Sequence, residues 1–352
     1  ASNSPGQSAG PSPRSPSPKS PKLRSPTSPS PKEQSEERHS SKDAKPKKLQ
    51  TYDSVIIRSA TREGWDPIVQ QPFAMRRFHG KQLEQWTCVN VGQLLGFASQ
   101  KGGQPHVPNQ DEFAVLHEAG YQIYVVLDGH GRGGESVAKF SRQWLCNALL
   151  NLVRQRNGKV LGAGELPKIF DSLQEALQLE EARGVKSQCQ DLRESGCSGL
   201  IAILTPTRSL RGVWLGDCEC IAGRRAKDGA QPPTLVALTT PHVQQGKVTR
   251  ALGRLANVSI SHTADEFMEA DIDLSSLDFI VLGSGGLWRG VNKAAVLEEI
   301  TKAGPYHAQH AAVKLATASQ ESQMVASEQT GGPFAVQDAT MLVAWIGSNI
   351  PV

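Results

Sequence analysis

Apolar and polar positions change rhythm several times along this chain. Runs rich in β-branched residues and bounded by turn residues predict strands at 91–98, 112–116, 121–127, 199–205, 212–222, 234–239, 279–283 and 340–346. Between them the period lengthens. Val137, Phe140, Trp144, Ala148 and Leu152 recur at three- and four-residue steps and give 133–154 one apolar helical face. Ile169, Phe170, Leu173, Ala176 and Leu177 do the same for 166–183, and two more helices are predicted at 292–302 and 307–319. Strands come largely in succession, with helices inserted in pairs. That order predicts a layered α+β sandwich rather than a strictly alternating parallel fold.

Residues 1–50 follow neither rhythm. Eight Ser-Pro pairs fill them, large apolar residues are almost absent, and ten Lys or Arg face four Asp or Glu. Such a segment cannot bury enough surface to offset chain entropy, so 1–50 is expected to be a disordered basic tail before a folded domain at 51–352. The whole chain carries +4. The folded part is therefore slightly acidic, which argues against direct nucleic-acid binding by it. Residues 51–90 match no clear element and are expected to pack on the outside of a sheet.

No apolar run approaches the ~18 residues of a membrane helix, so no membrane partner is expected. No signal peptide is visible, although a cleaved one leaves no trace. A cytoplasmic or nuclear location is expected, with a secreted origin left open. The six cysteines, among them Cys218 and Cys220, lack metal-type or disulfide-type clustering and read as buried thiols in a reducing compartment. The tail suits a proline-directed kinase, each added phosphate contributing about −1.5 to −2 charge. Lys45-Pro46-Lys47-Lys48 is a short basic run of the kind used in nuclear import.

The chemistry concentrates at Asp128-Gly129-His130-Gly131, where an apolar strand ends. The Asp supplies hard oxygen donors, Gly129 leaves its carbonyl unobstructed, and His130 could move a proton. Fragments in the same order make the chain resemble the metal-dependent protein phosphatases of the protein phosphatase 2C family: GFASQKGGQPHVPNQDEF at 96–113, the DGHG stretch, SGCSGLIAIL at 195–204, WLGDCECIAGR at 214–224, VTRALG at 248–253, DFIVLGSGGLW at 278–288 and QDATMLVAWI at 337–346.

The resemblance implies a four-layer α/β/β/α sandwich of two antiparallel sheets flanked by helices. It also implies two Mg²⁺ or Mn²⁺ ions and a phosphoprotein substrate. On it, Asp128 would bridge the ions and Gly129 and Asp338 would complete ligation. Asp217 would hold a weaker third ion, Asp111 would orient water, His130 would be the general acid, and His106 would meet the phosphate. Several positions depart from the pattern. Gly285 stands where the family has a ligating Asp, Gln110 where it has an acid, and His106 where it has a basic residue that grips phosphate. Arg254 and Arg289 replace acids, and the flap expected between His242 and Val248 is missing. Fewer carboxylates mean weaker hold on a dication. The expected function is a catalytically impaired domain that binds a protein or phosphoprotein partner. The alternative is an active serine/threonine phosphatase with a rearranged two-metal site. Ser284 and Thr340 are expected to be structural.

Overall fold

The computed structural model describes residues 94–103, 107–156, 159, 161–224, 234–267, 277–330 and 336–346, together with three strands nearer the N-terminus whose backbone alone is described. Residues 1–50 and His106 lie outside the described residues.

The period-2 runs become the central strands of two sheets. In the first, β5 (Asp111–Glu118), β6 (Tyr121–His130), β7 (Gly196–Leu204) and β8 (Leu210–Leu215) pair in succession, all antiparallel. In the second, β9 (Glu219–Arg224), β15 (Phe279–Gly283), β16 (Ala339–Trp345) and β4 (Leu95–Gln100) lie side by side, also antiparallel, with β10 (Thr234–Ala237) beyond β9.

Alternation sorts each strand between two layers. On β5 and β6, Ala114, Leu116, Ile123, Val125 and Leu127 pack under helices α1 (Gly134–Arg156) and α2 (Glu165–Ala182) with Leu145, Leu149, Phe170 and Leu173. Phe113, Val115, Tyr124 and Val126 face the other way, onto Cys220, Ile280, Leu282 and Leu342 of the second sheet. The far side of that sheet, with Val281, Met341 and Val343, meets α4 (Lys293–Ala303) and α5 (Ala308–Thr330). The expected order of helix, sheet, sheet and helix layers is what the chain forms. Cys218 and Cys220 are free, buried thiols in the inter-sheet core, as their lack of metal-type or disulfide-type clustering implied.

Three differences have physical causes. Strands β1 (Ser54–Arg58), β2 (Met75–His79) and β3 (Gln82–Gln85) extend the first sheet beyond β5, so part of 51–90 continues a sheet edge instead of lying over a face. Residues 212–222, expected as one strand, are two, because Gly216 turns at φ 85° where a Cβ would strike Ser198. Between His242 and Val248, where the resemblance leads a flap to be expected, β11 (Val243–Gln244) and β12 (Lys247–Val248) close a two-residue hairpin. Gln245 and Gly246 both have positive φ, the geometry of the tight turn that matches strand twist. The remaining short strands, β13 (Leu252–Gly253) and β14 (Asp265–Phe267), pair with β7 and β8.

Candidate active site

The acids sit where inward-facing strand positions run out of sheet. Asp111 opens β5 and Asp128 lies directly across from it near the end of β6. Both continue the series facing the second sheet, and Asp338 precedes β16 with the same parity as Leu342. Asp217 stands in the β8–β9 turn. Together with Gly285, the first residue of α3 (Gly285–Gly290), these residues meet at one end of the inter-sheet layer. A pocket of about 230 Å³ opens there, lined by Asp128, Gly129, His130, Asp338, Gln110 and the apolar Val107, Pro108 and Val336. The predicted residues are thus brought together, apart from His106, which lies outside the described residues.

The chain's own donors hold most of these carboxylates. Asp338 accepts backbone N–H bonds from Gly102 and from Gln110, at 2.5 and 2.7 Å. Asp128 Oδ2 accepts the N–H of Gly285 at 2.8 Å. Asp217 Oδ1 accepts the hydroxyl of Ser198 at 2.7 Å. Asp111 differs: it is fully buried and neither carboxylate oxygen has a hydrogen-bond partner. Burial, then the charge of Asp338, pushes its carboxyl well above the usual carboxylate range. The nearby hydroxyls of Ser284 and Thr340 pull the other way. Those two residues clip β15 to β16 through Thr340 N–H to Ser284 Oγ at 3.0 Å, the structural role expected of them. Burial, then Asp111, Asp217 and Asp338, likewise raises Asp128 well above its ordinary value.

Position 285 holds the clearest departure. A Cβ built on Gly285 would lie 2.3 Å from Asp217 Oδ2 and 3.1 Å from Asp128 Oδ2. Asp217 therefore occupies the space a side chain at 285 would need. Gln110 donates its side-chain amide to the Gly131 carbonyl at 2.8 Å, so it works as a loop tie rather than as an acid. Among the described residues no group of three or more His, Cys, Asp and Glu is arranged to hold a metal. Oxygen donors of the right kind are present for a hard cation. As a two-ion centre, however, the residues do not fit, since position 285 offers no carboxylate and most carboxylates already bond to the chain.

His130 closes β6 opposite Gly196. Burial, then the charge of Arg254, lowers its ring to about 4, against the pull of Asp217 and a bond to the Asp128 backbone. At neutral pH it is the uncharged imidazole, the form that takes up a proton rather than releasing one. Ser198 was missed in the sequence. It faces Asp128 across the β6–β7 pair, and its signal was a lone hydroxyl in an otherwise apolar strand.

The raised Asp128 yields a prediction. A group whose folded pKa is raised is a burden above that value and is relieved as pH falls towards its unfolded pKa, near 3.9. Asp128→Asn keeps an acceptor for the Gly285 N–H and removes the charge. In EDTA it should raise stability at pH 7 by about 1–2 kcal/mol, with the gain vanishing near pH 4. Thermal melting across that range checks both.

An α/β/β/α sandwich of two antiparallel sheets, with an acidic cluster at the strand ends, defines the class of metal-dependent phosphatase folds. A model of the family described as protein phosphatase 2C matches residues 103–313, and the chain belongs to that family. A bacterial serine phosphatase shares the fold with a TM-score of 0.55 at 16% identity, covering 73% of this chain and 99% of that one. The serine-threonine phosphatase 2C from Toxoplasma gondii does so with 0.52 at 14%, covering 71% and 94%. A sex determining protein of C. elegans gives 0.54 at 15%, covering 75% and 66%. A comparison with curated proteins finds no match. No described helix is long and apolar enough to cross a membrane.

Proposed function

We propose that this protein phosphatase 2C domain is catalytically impaired and acts as a binding or regulatory module for a phosphoprotein or protein partner. The observation that carries this reading is position 285. Its missing carboxylate leaves a space filled by Asp217, and its bare N–H is spent on Asp128. Gln110, tied to the Gly131 carbonyl, removes a second charge from a site that would have to offset two dications. The tight β11–β12 hairpin supports the same reading, since among the described residues it takes the place where the resemblance leads a flap to be expected. In this picture the Ser-Pro tail is a target of a proline-directed kinase, with a cytoplasmic or nuclear setting.

One observation favours the alternative. Asp217 Oδ2, lying where a residue-285 side chain would be, could stand in for the lost ligand and restore an active Mg²⁺- or Mn²⁺-dependent serine/threonine phosphatase. Hydrolysis of a phosphothreonine peptide across a Mn²⁺ titration separates the two. The impaired reading expects no saturable metal-dependent phosphate release. Saturable release that disappears in Asp217→Ala would establish the alternative.

A further inference from the structure

The turn that carries Asp217 is held from outside the acidic cluster. Gly216, Asp217 and Cys218 alone cross from β8 of the first sheet to β9 of the second. One residue takes both polar backbone groups of Gly216. The His242 N–H donates to the Gly216 carbonyl at 2.7 Å, and the Gly216 N–H donates to His242 Nδ1 at 3.1 Å. Those partners assign the ring proton to Nε2.

The imidazole is itself fixed on every side. Its Nε2 donates to Asp265 Oδ2 at 2.9 Å, and Asp265 Oδ1 accepts from Arg250 at 2.7 Å. The ring stacks on Trp214, with centroids 5.9 Å apart and planes 1° from parallel. Asp265 is the β14 residue that pairs with Trp214 on β8, so both supports share one ladder position. The His242 carbonyl accepts the N–H and the hydroxyl of Thr249 at 2.9 and 3.0 Å. These contacts lie outside the acidic cluster, yet they fix the residue just before Asp217.

We infer that His242, oriented by Asp265 and Trp214, is a positioning residue that latches the β8–β9 turn and keeps Asp217 in the space a residue-285 side chain would take. Asp217 has one local tie. The Ser198 hydroxyl donates to its Oδ1 at 2.7 Å, and its own N–H donates to Ser198 Oγ at 3.2 Å. That tie orients the carboxylate and leaves the polar groups of Gly216 to be held elsewhere. Gly216 is the joint most able to move, since its φ of 85° lies in a region that glycine enters freely. With Gly216 clamped, Asp217 Oδ2 stays 2.3 Å from where a Cβ at 285 would be. The latch goes beyond the impaired reading, because it sets the room at position 285 in an inactive and an active domain alike.

The test compares the native chain, His242→Asn and His242→Gln in EDTA, each alone and combined with Gly285→Asp. Asn keeps an acceptor near the Nδ1 position. Gln keeps a donor near Nε2 and gives up the acceptor for Gly216. Residue-resolved amide exchange should show the Gly216 N–H opening about tenfold faster in His242→Gln and near the native rate in His242→Asn, the effect of one lost hydrogen bond. Asp265→Ala leaves the ring without its tether and should give a smaller rise. The drop in melting temperature that Gly285→Asp causes should persist beside His242→Asn and shrink by about half or more beside His242→Gln, because a freed turn can carry Asp217 aside. A merely structural histidine would lower the melting temperature of both variants and leave that drop unchanged. Equal drops in all three backgrounds, or Gly216 exchange unchanged in both His242→Gln and Asp265→Ala, overturns the inference. No readout involves phosphate release, so failure of the impaired reading shows itself separately, in the Mn²⁺ titration.

Discussion

Replacing Arg142 with Met should destabilise the fold by about 3–5 kcal/mol, the usual result of stripping one partner from a buried ion pair. Arg142 Nε donates to Glu112 Oε2 at 2.6 Å, with the two side chains 6% and 0% exposed. The bond ties α1 to β5 one residue beyond Asp111, on the opposite face of the strand. Without the guanidinium, the Glu112 carboxylate stays in the buried layer between helix and sheet and loses its charged donor, which is strongly disfavoured there. The attraction itself does not set the size of the effect, because a buried pair roughly offsets its own desolvation. Arg142→Met combined with Glu112→Leu should therefore recover most of the loss. Chemical denaturation of the two single variants and the double one gives the coupling. A double variant as unstable as Arg142→Met would show that the pair stabilises by more than mutual neutralisation.

That pair was not legible in the sequence. Glu112 lies in a strand and Arg142 in a helix, and their meeting depends on how α1 crosses the sheet. What could be read were features that repeat along the chain. Central strands such as β6 and β16 announce themselves because both faces are buried. The DGHG stretch stood out because it interrupts such a run at its end. The outer strands β2 and β3, reading MRRFH and QLEQ, hid because their sequences lack the apolar alternation by which a half-buried strand is read. Helix α5 runs to Thr330, well past the predicted 319, since its last turns are small and polar residues with little periodicity. At the site, the lost carboxylate at Gly285 could be read directly as an absent residue type. That Asp217 fills the gap could not, because the β8–β9 turn and the start of α3 approach only in the folded chain.

Restoring that carboxylate should have opposite effects without and with metal. Gly285→Asp meets no backbone obstacle, since Gly285 begins a helix and is not among the residues with positive φ. The obstacle is the cluster. The new Cβ would press on Asp217 Oδ2 at 2.3 Å, and a further carboxylate would join a cluster in which neighbouring acids already raise Asp111 and Asp128. In EDTA near neutral pH the variant should be less stable than native by about 2–4 kcal/mol, and Asp217→Asn in the same chain should recover part of this. Mn²⁺ should reverse the order. A ligand at about a hundred times its dissociation constant stabilises by about 2.7 kcal/mol. The variant, with a donor for a second ion, should show such a rise in melting temperature, while the native chain should shift little. Equal Mn²⁺-induced shifts in the two would mean that Asp217 already supplies the missing ligand, and the impaired reading would fall. A variant that is destabilised yet gains nothing from Mn²⁺ would place a further lesion at Gln110, where an amide tied to Gly131 cannot bring the charge that a second dication requires.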